Sequence, residues 1–259
     1  MSIQNSAIFY DHLSQDPQLK DTFYQFSTLT ALCQYERLFN YVERISEKYL
    51  RVLDWGCGNG WFSYYLLQRG FVNVTSYGYG WDSIDPTQRL VPSLHYVNGE
   101  SYALSNPSEL PFKKDSFDLA FSIGVLEHVH ETGGDQAMSM MEINRILGDG
   151  GRFFCYHLPN RFTWIEFLKG LFVADKSKHF LHTKKFGKAE IETLALEAGF
   201  RMNRIKRYNF LPNNIHRRGS LDSRFLAKLY TSLDIALMLT PLNHLAQCYM
   251  FEAMKQENV

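Results

Sequence analysis

The sequence predicts an α/β fold: a doubly wound, mostly parallel sheet of seven strands, with extra helices ahead of it and between its sixth and seventh strands. Three observations carry that prediction. Short apolar runs of strand length alternate with longer segments whose apolar residues recur at three and four, the pattern of strands joined by crossover helices. The first such run, Val52–Trp55, passes directly into Gly56-Cys57-Gly58-Asn59-Gly60 and then a helix-like stretch, Trp61–Gln68. A strand, a glycine turn and a helix start together form the crevice at the carboxyl end of a parallel sheet where ligands bind. Finally, 259 residues with 45% hydrophobic and 21% charged content suit one ordinary globular α/β domain.

The elements follow in order. Residues 1–27 are polar and aromatic without a clear period. Thr28–Lys48 reads as a helix, since Leu32, Tyr35, Leu38, Phe39, Val42 and Ile45 repeat at three and four. Val52–Trp55 is the first strand, Phe71–Tyr77 the second, Leu94–Val97 a short third and Phe117–Ile123 a fully buried fourth. Asp135–Leu147 is a helix stopped by Gly148, and Arg152–His157 is the fifth strand. Phe162–Phe172 is an apolar aromatic helix, and Lys188–Ala198 a helix capped by Gly199. Phe200–Leu211 reads as strand six, Leu221–Leu239 as an amphipathic helix ended by Pro241, and Gln247–Lys255 as the last strand.

Chemistry concentrates at the first turn. Glycine serves where backbone must turn sharply or lie against a ligand, because a Cβ would clash. Asp54 stands just before the glycines, and a carboxylate there repels a pyrophosphate but suits a cationic ligand. A dehydrogenase is therefore disfavoured. Asp54 to Gly60 resembles motif I of the class I S-adenosylmethionine-dependent methyltransferases. The companions of that motif arrive in order: Leu110-Pro111-Phe112, Ser116–Ser122, Val125-Leu126-Glu127-His128-Val129, and Glu142–Leu147 followed by Gly150–Phe154.

The resemblance implies a Rossmann-like methyltransferase fold whose last strand runs antiparallel, and S-adenosylmethionine as cofactor. It implies that Asp54, Gly56, Cys57, Gly58 and Gly60 hold the methionine end, and that Ser122, near the end of strand four, also belongs to the cofactor site. His128 follows strand four, where the family brings acceptor and methyl together, and is the candidate base; histidine is the side chain whose charge changes near neutral pH. His157 and Asn160, just past strand five, are candidate substrate contacts. The family ends strand two with an acid for the ribose. Here that place falls on Gly78, so the role passes to Asp82 across a longer loop. It places an Asp before Leu-Pro-Phe for the adenine; here Asn106 and Pro107 stand there, and proline has no N–H to offer. The metal-binding subset carries a glutamate where this chain has Gly124, so no metal is expected. His179 and His182 are three apart but lack a third ligand.

The resemblance divides the chain into a helical cap over 1–48 and a methyltransferase domain over 49–259, with substrate-side insertions at about 161–186 and 212–245. Net charge is zero, which argues against a nucleic-acid substrate, as does the absence of an Asn/Asp-Pro-Pro-Tyr/Phe signature after strand four. Charge is nevertheless uneven: between Arg161 and Arg218 thirteen Lys and Arg stand against five Asp and Glu. That excess favours an anionic acceptor, either a small molecule or one linked to lipid or glycan, with O-methylation the expected chemistry. Four scattered cysteines indicate neither a disulfide frame nor a zinc site. Without a signal-like start or an apolar run of spanning length, a cytoplasmic protein is expected; the late amphipathic helix is read first as packing onto the sheet, with peripheral membrane contact as the alternative. Gly78 and Pro107 leave open a second reading, a catalytically silent relative that binds or scaffolds.

Overall fold

The computed structural model describes residues 3–79, 84–102, 104, 106–172, 184–212 and 223–256, the side chains of 169–172 excepted. Its centre is a seven-stranded sheet: β1 (Arg51–Trp55), β2 (Asn73–Gly78), β3 (His95–Asn98), β4 (Phe117–Ile123), β5 (Leu147–Pro159), β6 (Phe200–Tyr208) and β7 (Cys248–Lys255). The spatial order is β3-β2-β1-β4-β5-β7-β6. The pairings are parallel except for β7, which runs antiparallel to β5 and β6. Strands covered on both faces need apolar side chains on both. That is why Val52-Leu53 and Leu119–Phe121 are apolar runs rather than alternating ones, and both are buried throughout. The chain winds outward from β1 through β2 to β3, then returns to place β4 on the other side of β1. The crevice at that reversal is where α/β sheets bind ligands.

One face of the sheet is covered by α1 (Gln4–Gln15), α2 (Pro17–Thr22), α3 (Leu29–Cys33), α4 (Glu36–Glu43) and α5 (Trp61–Gln68). Phe9, Phe39, Phe62 and Tyr65 meet Val52, Leu119 and Phe154 there in one core. The other face packs Ile143 and Ile146 of α7 (Gln136–Ile146) and Ile191 and Ala195 of α9 (Lys188–Glu197) against Leu53, Ala120 and Phe153. A short α6 (Asp85–Leu90) follows β2, α8 (Trp164–Phe172) follows β5, and α10 (Arg224–Met238) lies between β6 and β7. Among the described residues no helix is long and apolar enough to cross a membrane.

Several boundaries differ from expectation for identifiable reasons. The helix read over Thr28–Lys48 is two helices, broken at Gln34-Tyr35. There the Tyr156 hydroxyl donates to the Gln34 carbonyl at 2.7 Å, and the Tyr35 ring packs 4.8 Å from both Trp61 and His157. Tertiary contacts take over what the helix would have used. Residues 4–22 form helices despite their weak period, because α1 buries Ser6 alongside Phe9 and Leu13. The buried Glu36 carboxylate accepts from the Ser6 backbone at 2.7 Å and its hydroxyl at 2.6 Å. Strand six stops at Tyr208, since the Phe210 and Leu211 N–H groups donate to Asp234 of α10 (2.7 and 2.8 Å) instead of to a neighbouring strand.

Two bulges re-aim side chains. In β6, Met202 pairs with Ala253 and Arg204 with Glu252, so Asn203 is the extra residue. Beyond it Arg204, Lys206 and Tyr208 face the α4 side, where Tyr208 stacks on Tyr156 at 4.4 Å. In β5 the register slips between Cys155 and Leu158, and His157 takes a left-handed φ of 68°. Tyr208→Ala empties a fully buried place in that core. A stability loss of about 3–5 kcal/mol, the cost of removing a large aromatic, is expected in urea unfolding.

Candidate functional site

The site is built on the turn after β1. The Gly56 and Cys57 N–H groups both donate to the Tyr77 carbonyl of β2, at 2.8 and 2.9 Å, which pins the turn to the neighbouring strand. Gly60 starts α5 with φ 78°, and a Cβ there would stand 2.4 Å from the end of the Ile84 side chain. Gly58 has φ 53° and the opposite surroundings: nothing lies within 4 Å of where a Cβ would project. Its bare backbone faces an open cleft. Beneath the turn, buried Asp54 accepts from Ser63 Oγ at 2.6 Å, and Ser63 in turn accepts from Ser76 Oγ at 2.6 Å. This chain joins β1, α5 and β2.

The cleft encloses about 1560 Å³. It is bounded by the glycine turn, the ends of β2 and β3 (Gly78, Tyr79, Glu100), the end of β4 (Ile123 to Val125, then His128) and the N-terminal helices (Asp21, Gln25, Tyr35). Small-ligand pockets run to roughly 300–1,000 Å³, so this one has room for two partners side by side. The helices are latched over the turn: Asn59 Nδ2 donates to the Thr22 carbonyl (2.9 Å) and Gln25 Oε1 (3.1 Å), while Gln25 Nε2 donates to Asn59 Oδ1 (3.3 Å).

After β4 the chain places His128 between two carboxyl groups. Its Nδ1 lies 2.9 Å from Glu131 Oε1, and its Nε2 4.0 Å from Glu127 Oε1. Glu127 is buried, and burial pushes its acid up to about 8, with the nearby Glu131 adding a smaller push. At neutral pH it keeps its proton. Beside it, Cys155 is also held well above an ordinary thiol, again by burial first.

Of the residues singled out from the sequence, Gly56, Cys57, Gly58 and His128 line the cleft. Asp54, Gly60 and Ser122 lie just behind it; Ser122 is fully buried. Asp82 falls outside the described residues, as do His179 and His182. The remaining three do not line the cleft. Asn106 lies between Leu104 and Pro107, which do line the cleft, and its side-chain oxygen accepts from the Ser108 N–H at 2.8 Å. His157, turned by its bulge, sits behind Tyr35 with its backbone N–H on the Tyr208 hydroxyl at 2.7 Å. Asn160 is fully buried, and its amide donates to the His244 and Ala246 carbonyls at 2.9 and 2.7 Å. It ties the end of β5 to the segment before β7. Sequence reasoning missed Glu100, Gln25 and Tyr35 as cleft residues. Glu100 had a signal, its place immediately after β3; Gln25 and Tyr35 had none, because only the fold brings their helices over the turn.

Among the described residues no group of three or more His, Cys, Asp or Glu is arranged to hold a metal ion. A family model described as a methyltransferase domain matches residues 53–155. An O-methyltransferase of Aspergillus sclerotiorum, resE, is 30% identical over 115 residues, covering 42% of this chain and 42% of that protein. EEF1A lysine methyltransferase 4 of Mus musculus is 36% identical over 121 residues, covering 40% of this chain and 44% of that protein. The chain thus spans less than half the length of these curated relatives. A solved S-adenosylmethionine-dependent methyltransferase from Mesorhizobium loti shares the fold with a TM-score of 0.56 at 18% identity, over 86% of this chain and 98% of its own.

Two outcomes follow from this geometry. Asn160→Ala strands two carbonyls and should cost about 1–3 kcal/mol for each one left buried, read by thermal unfolding, while leaving ligand binding in the cleft unchanged. Glu127 has a raised acid, so the folded state holds a proton that the unfolded state sheds above the ordinary carboxyl range. Wild-type stability therefore falls as pH rises from about 4.5 to about 8. Glu127→Gln lacks that loss. Its unfolding free energy, read in urea, should match wild type near pH 4.5 and exceed it increasingly up to pH 8, by an amount on the order of a few kcal/mol.

Proposed function

We propose, from the chain's membership of the class I S-adenosylmethionine-dependent methyltransferase family through residues 53–155, that its cleft binds that cofactor and methylates an acceptor seated beside it. The observation that carries the reading is Gly58, whose backbone lies open to a cleft large enough for both partners. When bound, the cofactor supplies an electrophilic methyl on a sulfonium. The protein's own part is mostly alignment, which can supply roughly 7–11 kcal/mol of the barrier. In this reading the Gly56–Gly58 backbone accommodates the methionine end, and Asp54 holds the turn in shape through Ser63 and adds a negative field beneath it. Glu100, at the end of β3, takes the hydroxyl-bearing part that the residue at Gly78 cannot, with Asp82 as the alternative.

His128 is the proposed base. With its Nδ1–H given to Glu131, Nε2 keeps a lone pair for the proton of an acceptor hydroxyl. The helical segment 1–48 acts as the cap, through Gln25 and Tyr35, and the segments at about 161–186 and 212–245 shape acceptor entry. The basic excess over Arg161–Arg218 supports an anionic small-molecule or lipid- or glycan-linked acceptor, and the partial likeness to an O-methyltransferase supports O-methylation.

Calorimetric titration with S-adenosylmethionine and with its demethylated product, with NAD as control, tests the reading. Micromolar binding of either supports it; binding of neither favours a silent, scaffolding relative. Gly58→Ala should weaken that binding roughly tenfold or more at a stability cost of about 1–2 kcal/mol, since strain is its only local penalty. Asp54→Asn should weaken binding without unfolding the domain. His128→Ala should leave binding intact and slow transfer by roughly 10²–10⁴-fold once an acceptor is found; an unaltered rate removes His128 from the chemistry.

A further inference from the structure

A second site lies away from the cleft, on the α4 face of the far side of the sheet. Arg37, Asn40 and Arg44, on one side of α4, converge with Arg204 of β6 on a small cavity of about 80 Å³, whose floor is Phe154, Met250 and Phe251. The bulge at Asn203 is what brings Arg204 and Lys206 to this face. Lys206 belongs to the same cluster: its ammonium is held below the ordinary lysine value by partial burial first, then by Arg204, Arg37 and Arg44.

Five arginines elsewhere among the described residues are ion-paired: Arg51, Arg69, Arg145, Arg161 and Arg224 each meet a carboxylate. Among the described residues, none of Arg37, Arg44, Arg204 and Lys206 has one within ion-pair distance. The cavity does contain a carboxylate, Glu252, but its Oε1 accepts from the neutral Tyr41 hydroxyl at 2.9 Å. Three guanidiniums and an ammonium thus gather around one carboxylate, leaving an uncompensated positive charge that repels itself unless an anion is resident.

We infer that this cavity between α4, β6 and β7 is a binding site for a phosphate or diphosphate group. The volume is that of two or three waters, room for one tetrahedral oxyanion, so a diphosphate seats only one of its two phosphoryl groups in it. Three guanidinium forks need three or more acceptor oxygens to be satisfied together, which a phosphate offers and a carboxylate does not. The group can come from a soluble phosphate compound or from a phospholipid headgroup. The site is distinct from the cleft, and the proposal stands independently of the methyl-transfer reading.

The test uses the 259-residue chain and Arg44→Gln/Arg204→Gln, both exposed positions outside the cleft. Titration with inorganic pyrophosphate at fixed ionic strength should show saturable binding to wild type. The double variant should bind roughly tenfold more weakly or worse for each charged contact removed. In chloride alone the variant should melt no lower than wild type, because repulsion has been relieved; in pyrophosphate it should melt lower. Its affinity for S-adenosylmethionine should be unchanged. Flotation with vesicles of phosphatidic acid in phosphatidylcholine, against phosphatidylcholine alone, separates the two sources. Pyrophosphate binding without flotation assigns a soluble phosphate compound, and arginine-dependent flotation assigns a headgroup. The inference is overturned if wild type binds neither probe, or if the double variant binds them as well as wild type does.

Discussion

Two hydrogen bonds to one carbonyl hold the centre of this protein in place. The Tyr77 oxygen at the end of β2 accepts from both Gly56 and Cys57, so the turn after β1 cannot drift from the neighbouring strand. From that fixed turn, Gly60 directs α5 and Gly58 faces the cleft. Asn59 reaches the other way to the Thr22 carbonyl and Gln25. The Asp54–Ser63–Ser76 chain underpins the same turn with buried polar groups. Such a network is stable only when each member is satisfied, which couples the shape of the site to the integrity of three separate elements.

Much of this was legible in the chain itself. Parallel strands announce themselves by being apolar on both faces, so β1 and β4 stood out, and the glycine turn marked the carboxyl end of β1 directly. The Rossmann-like sheet with one antiparallel strand matches what the motifs implied. Local rules failed where distant residues decide the outcome. Ser6 does not count as apolar, yet it is buried because Glu36, thirty positions on, bonds it. Nothing near Tyr35 signals a helix break; Tyr156 and Trp61 impose it.

The candidate site divides the same way. Residues on the turn and just after β4 were placed by their order along strands, and they do meet in space. His157 and Asn160 were reasoned from proximity to the end of β5, but a bulge turns one behind Tyr35 and backbone carbonyls claim the other. A bulge is a one-residue event with no compositional mark, so alternation arguments lose phase there. Asn106 stands where the resemblance places the adenine contact, and its side-chain oxygen also accepts from the Ser108 N–H two residues away, a local bond that no strand or helix pattern announces.

The cations on β6 have a consequence besides recognition. A sheet ends in strands whose outer backbone groups are unpaired, and such edges invite addition of a strand from another chain. One edge here, β3, is four residues long. The other, β6, is nine residues long and therefore the greater hazard, but it is kinked at Asn203 and carries Arg201, Arg204 and Lys206 exposed along it. A second copy approaching in register would press like charges together across a bent ladder. The side chains that gather around the basic cavity thus also guard the sheet against self-assembly, so colloidal behaviour and anion binding are tied to the same few residues.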